Sequence, residues 1–363
     1  MKTEIKNKNF IKFTIQAMSV IAVIFGCIVG VNYFVDASQV ITSRFHTQMA
    51  KIALGGDIVA VPENYNERVY QMAIVDEMKD MPETIVIGCS RGMYLGEEIT
   101  GYDNLYNNCV SGACMEDYYA LLGLYEQKFS RLPKRVVIEI SPWVFYGSNP
   151  EARWIENYVY RTSAERLFKK VNGYDLSSNA KKENPYFSLS YFQYNLSIIK
   201  EKGRLAFAGE PVHASTDINE AADYPDGSIR YEAKLEKASA ERLIRVQSMT
   251  GAVTYENVNN MIEMSEEDIQ SYKNLVNYLL DNGSEVIIYM QPFSLTQCHY
   301  IYDEKTNPLF GAVEDWLHEF AEEHGLKVIG GYDSRNYDMT DEYFIDFMHL
   351  GKEGTGIVWE THK

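Results

Sequence analysis

Apolar positions along the chain fall into three kinds of pattern. From Phe13 to Val35, 23 residues carry no charge, and only Gln16, Asn32 and small polar groups interrupt them. At about 1.5 Å rise per residue, a helix of that length spans a hydrocarbon core of roughly 30 Å. Short β-branched runs form the second kind: TIVIG (84–88), RVVIEIS (135–141), SEVIIYMQP (284–292) and LKVIGGYD (326–333). Their apolar residues are continuous rather than alternating, and Gly or Pro marks their ends. That is the pattern of parallel strands buried on both faces. LYNNC, after Asn104, predicts a further short strand.

Helical spacing is the third kind. MEDYYALLGLYEQ (115–127), SEEDIQSYKNLVNYLLDNG (265–283) and AVEDWLHEFAEEHG (ending at Gly325) each present an apolar stripe. The second opens on a Ser265-x-x-Asp268 cap signature and stops at Gly283. Residues 38–80 read as mostly helical without a motif. Strands alternating with helices predict an α/β fold, a parallel sheet with helices on both faces joined by right-handed crossovers. Residues 143–260 break the rhythm as a large insertion between the third and fourth sheet strands, with YPDGSIRYE (224–232) as a turn between extended pieces. An insertion at the carboxyl end of a parallel strand lies over the usual ligand crevice. It is either a lid or substrate wall, or a solvated structural excursion.

Charge changes this picture at the amino end. Lys2, Lys6, Lys8 and Lys12 stand against Glu4 before the apolar run, and Asp36 follows it. The positive-inside rule then predicts a cytoplasmic tail (1–12), an anchor (13–35) and an extracytoplasmic domain (38–363) in the cell membrane. The alternative is a signal peptide cleaved near Val35-Asp36-Ala37, but the run is longer than a usual signal core. Cys27 lies inside the unbroken run, a poor lipoprotein signal. A net charge of −17 excludes nucleic acid as a partner, which needs a basic footprint. An anionic substrate would need local cations. Five cysteines make no disulfide scaffold. Cys109 and Cys114 bracket CVSGAC, either as a pair or as two small buried thiols. No CxxC or His-rich pattern implies a metal, and no cofactor is expected.

The candidate chemistry lies at the two ends of the α/β region. FIDFMHLGKEG (344–354) sets Asp346 three residues before His349. A carboxylate on one ring nitrogen orients a histidine as a base near neutral pH. Ser90, in IVIGCSRG, follows a buried strand where the chain turns, the place where open α/β sheets bind ligands. Ser90 is thus the candidate nucleophile, its own N–H a candidate oxyanion donor, and an N-cap the structural alternative. Arg91 is a candidate substrate-binding cation, or a partly exposed helix residue. Most of the 27 tyrosines are expected in core or rim rather than on sugars.

Strand-Gly-x-Ser near the start and D-x-x-H near the end resemble the SGNH (GDSL-like) hydrolase superfamily. ISPWVF (140–145) and DFMHLGKEG are similar to stretches of the teichoic-acid D-alanyl transfer proteins of Gram-positive bacteria, which also carry one amino-terminal anchor. The resemblance covers about a third of the chain. It implies an SGNH-like three-layer fold, with Ser90 as nucleophile, His349 as base, Asp346 as orienting acid and Gly112 as an oxyanion-hole glycine. It implies acyl transfer or ester hydrolysis on a cell-envelope polymer, D-alanine and teichoic acid, and a membrane-bound O-acyltransferase partner. O-acetyl transfer or removal on an exopolysaccharide, and a catalytically silent glycan-binding or scaffold module, are the alternatives. Gly88-Cys89-Ser90 replaces Gly-Asp-Ser, and Ser141-Pro142, with Ser141 a further candidate substrate contact, stands where the oxyanion asparagine block is expected.

Overall fold

In the computed structural model, alternation within the strands decides the layers. The structure describes residues 2–37, 41–42, 44–62, 65–147, 151–176, 184–207, 212–236, 243–244, 263–303 and 308–362. The other parts of the 143–260 insertion, and Met1 of the tail, lie outside the described residues.

Strands β1 (Val59–Ala60), β2 (Thr84–Ile87), β3 (Leu105–Asn107), β4 (Arg135–Glu139), β5 (Ala222–Asp223), β6 (Ile229–Arg230), β7 (Glu285–Met290) and β8 (Lys327–Gly330) build two sheets. The larger has the order β3-β2-β4-β7-β8 and is parallel throughout. Successive side chains of a strand point to opposite faces. Ile85, Ile87, Val136, Ile138 and Ile288 accordingly join one apolar cluster, with helices Glu67–Glu77, Met115–Phe129, Glu266–Asp281 and Pro308–His324. Val86, Val137, Ile287, Tyr289 and Ile329 join the other, under helix Lys352–Thr361. Burial on both faces is why these strands read as unbroken apolar runs.

The order of strands also locates the crevice. The chain leaves β2 for β3 on one side, then returns to place β4 on the other. Chain direction across the sheet therefore reverses at β2, and ligands of open α/β sheets bind beyond the strand ends at such a switch point.

The amino-terminal helix runs from Lys2 to Val35, so the basic tail continues the apolar segment as one helix. Phe10–Val35 is long and apolar enough to cross a membrane, and only 11% of its most apolar stretch is buried against protein. This candidate membrane helix is the coarse feature that charge and hydropathy predicted. Ser265 caps Glu266–Asp281 by accepting the Asp268 N–H at 3.3 Å.

The described parts of the insertion do two things. Helix Tyr158–Asn172 packs on Met115–Phe129, where Ser163 Oγ donates to the Ala120 carbonyl at 2.9 Å. Strands β5 and β6 form a hairpin whose first strand pairs with β1. The hairpin turn reaches the serine region: Ile229 N–H donates to the Met93 carbonyl at 3.1 Å, and Asn107 N–H to the Asp226 carbonyl at 2.7 Å. Together with Tyr94, Glu97, Glu98 and Lys352 it walls a cleft of about 240 Å³.

Candidate active site

Ser90 opens a single 3-10 turn, Ser90–Gly92, straight after β2. Cys89, not Ser90, holds the cap position, so the serine hydroxyl is left for another partner. Gly88 makes the turn possible. A Cβ there would collide with the Cβ of Glu139 and sit 2.8 Å from its Oε2. The Glu139 carboxylate, fully buried at the end of β4, accepts the Cys89 N–H at 2.7 Å and the Ser141 hydroxyl at 2.7 Å. A buried carboxylate is tolerated only when its lone pairs are occupied. Here they pull the β2 turn and the β4 turn together.

The histidine arrives from the far end of the chain. Ile345 N–H donates to the His349 carbonyl at 2.8 Å, which closes the Asp346–His349 loop on itself. Ser90 Oγ lies 2.8 Å from His349 Nε2, and His349 Nδ1 lies 2.8 Å from Asp346 Oδ2 and 3.0 Å from Oδ1. An ionised carboxylate only accepts, so the ring proton sits on Nδ1 and Nε2 accepts the Ser90 O–H. Asp346 also accepts the backbone N–H groups of Met348 at 2.9 Å and His349 at 2.8 Å. Burial alone would raise the Asp346 pKa. The His349 ring and these N–H groups outweigh it and hold the carboxyl below its ordinary value.

Gly112 lies two residues beyond Val110, whose N–H donates to the Gly88 carbonyl at 3.0 Å, so its loop runs beside the serine turn. Its φ of +58° and the crowding of Arg153 and Glu151 over its Cα leave no room for a side chain. Among the described residues, the N–H groups of Ser90 and Gly112 donate to no protein acceptor. Glu67 accepts from both the Ser111 N–H and, at 2.6 Å, its hydroxyl. The buried Arg68–Asp117 pair, at 2.7 and 2.8 Å, stands beneath, with Arg68 Nη1 3.4 Å from the Ser111 carbonyl.

Arg91 and Ser141 point inward. Arg91 is 1% exposed, its guanidinium 3.9 Å from the Phe293 ring centroid and donating to the Gln291 carbonyl. Ser141 bonds Glu139 and lies 3.1 Å from the Cys89 thiol. Neither side chain faces solvent, so neither is placed as a substrate contact; both lie in the floor of the site. Burial, with Glu139 adding, pushes the Cys89 thiol far up, so no thiolate competes with Ser90. Cys109 and Cys114 are separate buried thiols rather than a disulfide.

Two residues of this floor went unnoticed in the sequence. Gln291, 1% exposed, donates from Nε2 to the Arg91 carbonyl at 2.7 Å and accepts the Leu350 N–H at 3.4 Å. It straps the serine turn to the histidine loop. Its signal was its place directly after an apolar strand, at the ligand end of the sheet. The signal for Glu139 was its being the one acid inside RVVIEIS, since an acid in a buried strand needs a reason.

Comparisons with protein-family models and with curated proteins find no match to this chain. Ser90, His349 and Asp346 form one hydrogen-bonded chain, a geometry that acyl-group chemistry can use.

Proposed function

We propose that this chain is a membrane-anchored, extracytoplasmic serine acyltransferase or esterase of SGNH-like type that modifies a cell-envelope polymer. The observation that carries the reading is the continuous Ser90–His349–Asp346 relay, made by residues 259 positions apart in the chain. Ser90 Oγ attacks an ester or thioester carbonyl while its proton passes to His349 Nε2. The N–H groups of Ser90 and Gly112 receive the oxyanion. Collapse expels the alcohol or thiol, which takes the proton from His349. A polymer hydroxyl, or water, then gives its proton to His349 and attacks the acyl-enzyme, and the proton returns to Ser90 as it leaves.

The resemblance stated above supports D-alanine as the acyl group, teichoic acid as the acceptor and a membrane-bound O-acyltransferase as partner. The basic tail before Phe10–Val35 supports a cytoplasmic amino end with the catalytic domain outside.

Fluorophosphonate labelling of the full chain, beside Ser90→Ala and His349→Ala, tests the reading. Covalent mass on Ser90 that both variants lose is the expected result. A well-folded wild-type protein that takes no label would sink a free-standing serine enzyme and leave a silent glycan-binding module as the better description.

A further inference from the structure

Helix Leu189–Lys202 breaks the rule that a helix buries an apolar face. Of its residues only Asn195 is buried, and Asn195 is polar. Several large apolar side chains in and beside it stand in the open: Phe187 at 51%, Leu189 at 57%, Leu196 at 42%, Leu205 at 70% and Phe207 at 51%. A water-soluble domain rarely leaves such a patch uncovered.

The position of the patch says what covers it. Phe187 stacks on Phe25 of the anchor, ring centroids 5.1 Å apart, and Tyr186 stacks on Tyr33 at 6.4 Å. Phe25 lies ten residues before Val35, about 15 Å along the helix axis. The 26-residue apolar helix is longer than a hydrocarbon core of roughly 30 Å. Whether its inner or its outer end is set flush with the lipid boundary, Phe25 stays inside the core, and so does a ring stacked on it.

The polar contacts tie the segment to the outer end of the anchor. Asn32, fully buried, directs its Nδ2 at the carbonyls of Pro185, Tyr186 and Ser188, at 2.8, 3.2 and 3.0 Å. Its Oδ1 accepts from Asn195 Nδ2 at 3.2 Å, and Asn195 Oδ1 accepts the Ala37 N–H at 3.0 Å. Carbonyls of a non-helical stretch need such partners where water is absent. At the other end, Lys200, Lys202 and Arg204 oppose a single acid, Glu201, and are suited to phosphate headgroups.

We infer that residues 185–207 form a second membrane-contacting element, which lies in the outer leaflet against the anchor with its apolar side chains in lipid. The inference rests on reading Phe10–Val35 as a membrane span.

The test is photolabelling of the purified full chain in phosphatidylcholine–phosphatidylglycerol vesicles with a lipid-dissolved diazirine, followed by peptide mapping. The expected result is label in both 10–35 and 186–207 and none in Glu266–Asp281. Phe187→Ser with Leu205→Ser and Phe207→Ser should lose the label of 186–207 and keep that of the anchor. Label confined to the anchor overturns the inference, whether water or a second protein copy covers the segment. Label in neither overturns the membrane span as well.

Discussion

The serine corner and the anchor side of this protein depart from ordinary partition in opposite directions. At the corner, charged and polar groups are buried: Glu139, Arg91, Asp117 and Gln291 are each at most 1% exposed. Each is tied to backbone or to another polar side chain. On the anchor side, apolar rings stand exposed around one buried asparagine pair. Burying polar groups is tolerated only where they are satisfied, and exposing apolar ones only where something apolar meets them. The first departure holds the Ser90 turn and the His349 loop in place; the second leaves apolar rings where lipid, by our inference, would meet them.

Substitutions separate the two regions, and the largest effects belong at the corner. Ser90→Ala should remove acyl transfer by about 10⁶-fold, as loss of a nucleophile does, with the melting temperature unchanged. Single-turnover assays with an activated ester measure it. Asp346→Asn should cost about 10⁴-fold, because an amide no longer fixes the Nδ1–H tautomer of His349. A loss no larger than tenfold in steady-state kinetics would remove Asp346 from the relay.

Arg68→Met strands the buried Asp117 carboxylate and should destabilise the domain by about 3–5 kcal/mol in urea titrations. The pair also sets a pH signature. Burial raises the Asp117 pKa, but Arg68 and the Cys114 N–H outweigh it and hold the carboxyl below its ordinary value. A depressed carboxyl contributes stability that is whole above its unfolded pKa and is lost as pH falls through the folded one. Wild type should therefore lose stability more steeply than Asp117→Asn as pH falls below the ordinary carboxylate range. Parallel acid titrations of the two would break the assignment.

Gln291→Ala should lower kcat by about 10- to 100-fold with little change in KM, since it positions the serine and histidine loops without touching substrate. Gln291→Glu, which keeps the acceptor but loses the donor to Arg91, should recover part of the loss. An effect on stability alone would make it merely structural.

A second pH signature falls on the β5–β6 hairpin. Burial, with the nearby Glu67 adding, raises Asp223 from 3.8 to about 8. A raised carboxyl contributes stability that is complete below 3.8 and is lost as pH climbs through about 8. Asp223→Asn should melt higher than wild type above pH 8 and converge with it in acid.

Runs such as TIVIG and SEVIIYMQP were legible as strands because burial on both faces forces continuous apolar sequence. The cap at Ser265 was legible because capping is local. Ser90, Asp346 and His349 were nominated by motif and by their place at strand ends, before any distance was known. The Phe13–Val35 run and its basic flank were equally plain. The floor of the site was not. Gln291 and Arg91 touch across 200 residues of chain and Glu139 reaches Cys89 across 50, and no local pattern encodes a partner that far away. Arg91 looked like a surface cation because a sequence records charge and not the aromatic rings that will enclose it. The patch at 185–207 was hidden for the same reason, since an apolar side chain reads as core until the fold leaves it outside. Periodicity determined the elements, and Gly and Pro marked where they end. Only tertiary packing decided which polar groups are buried and which apolar ones are not, because that depends on neighbours the chain brings together last.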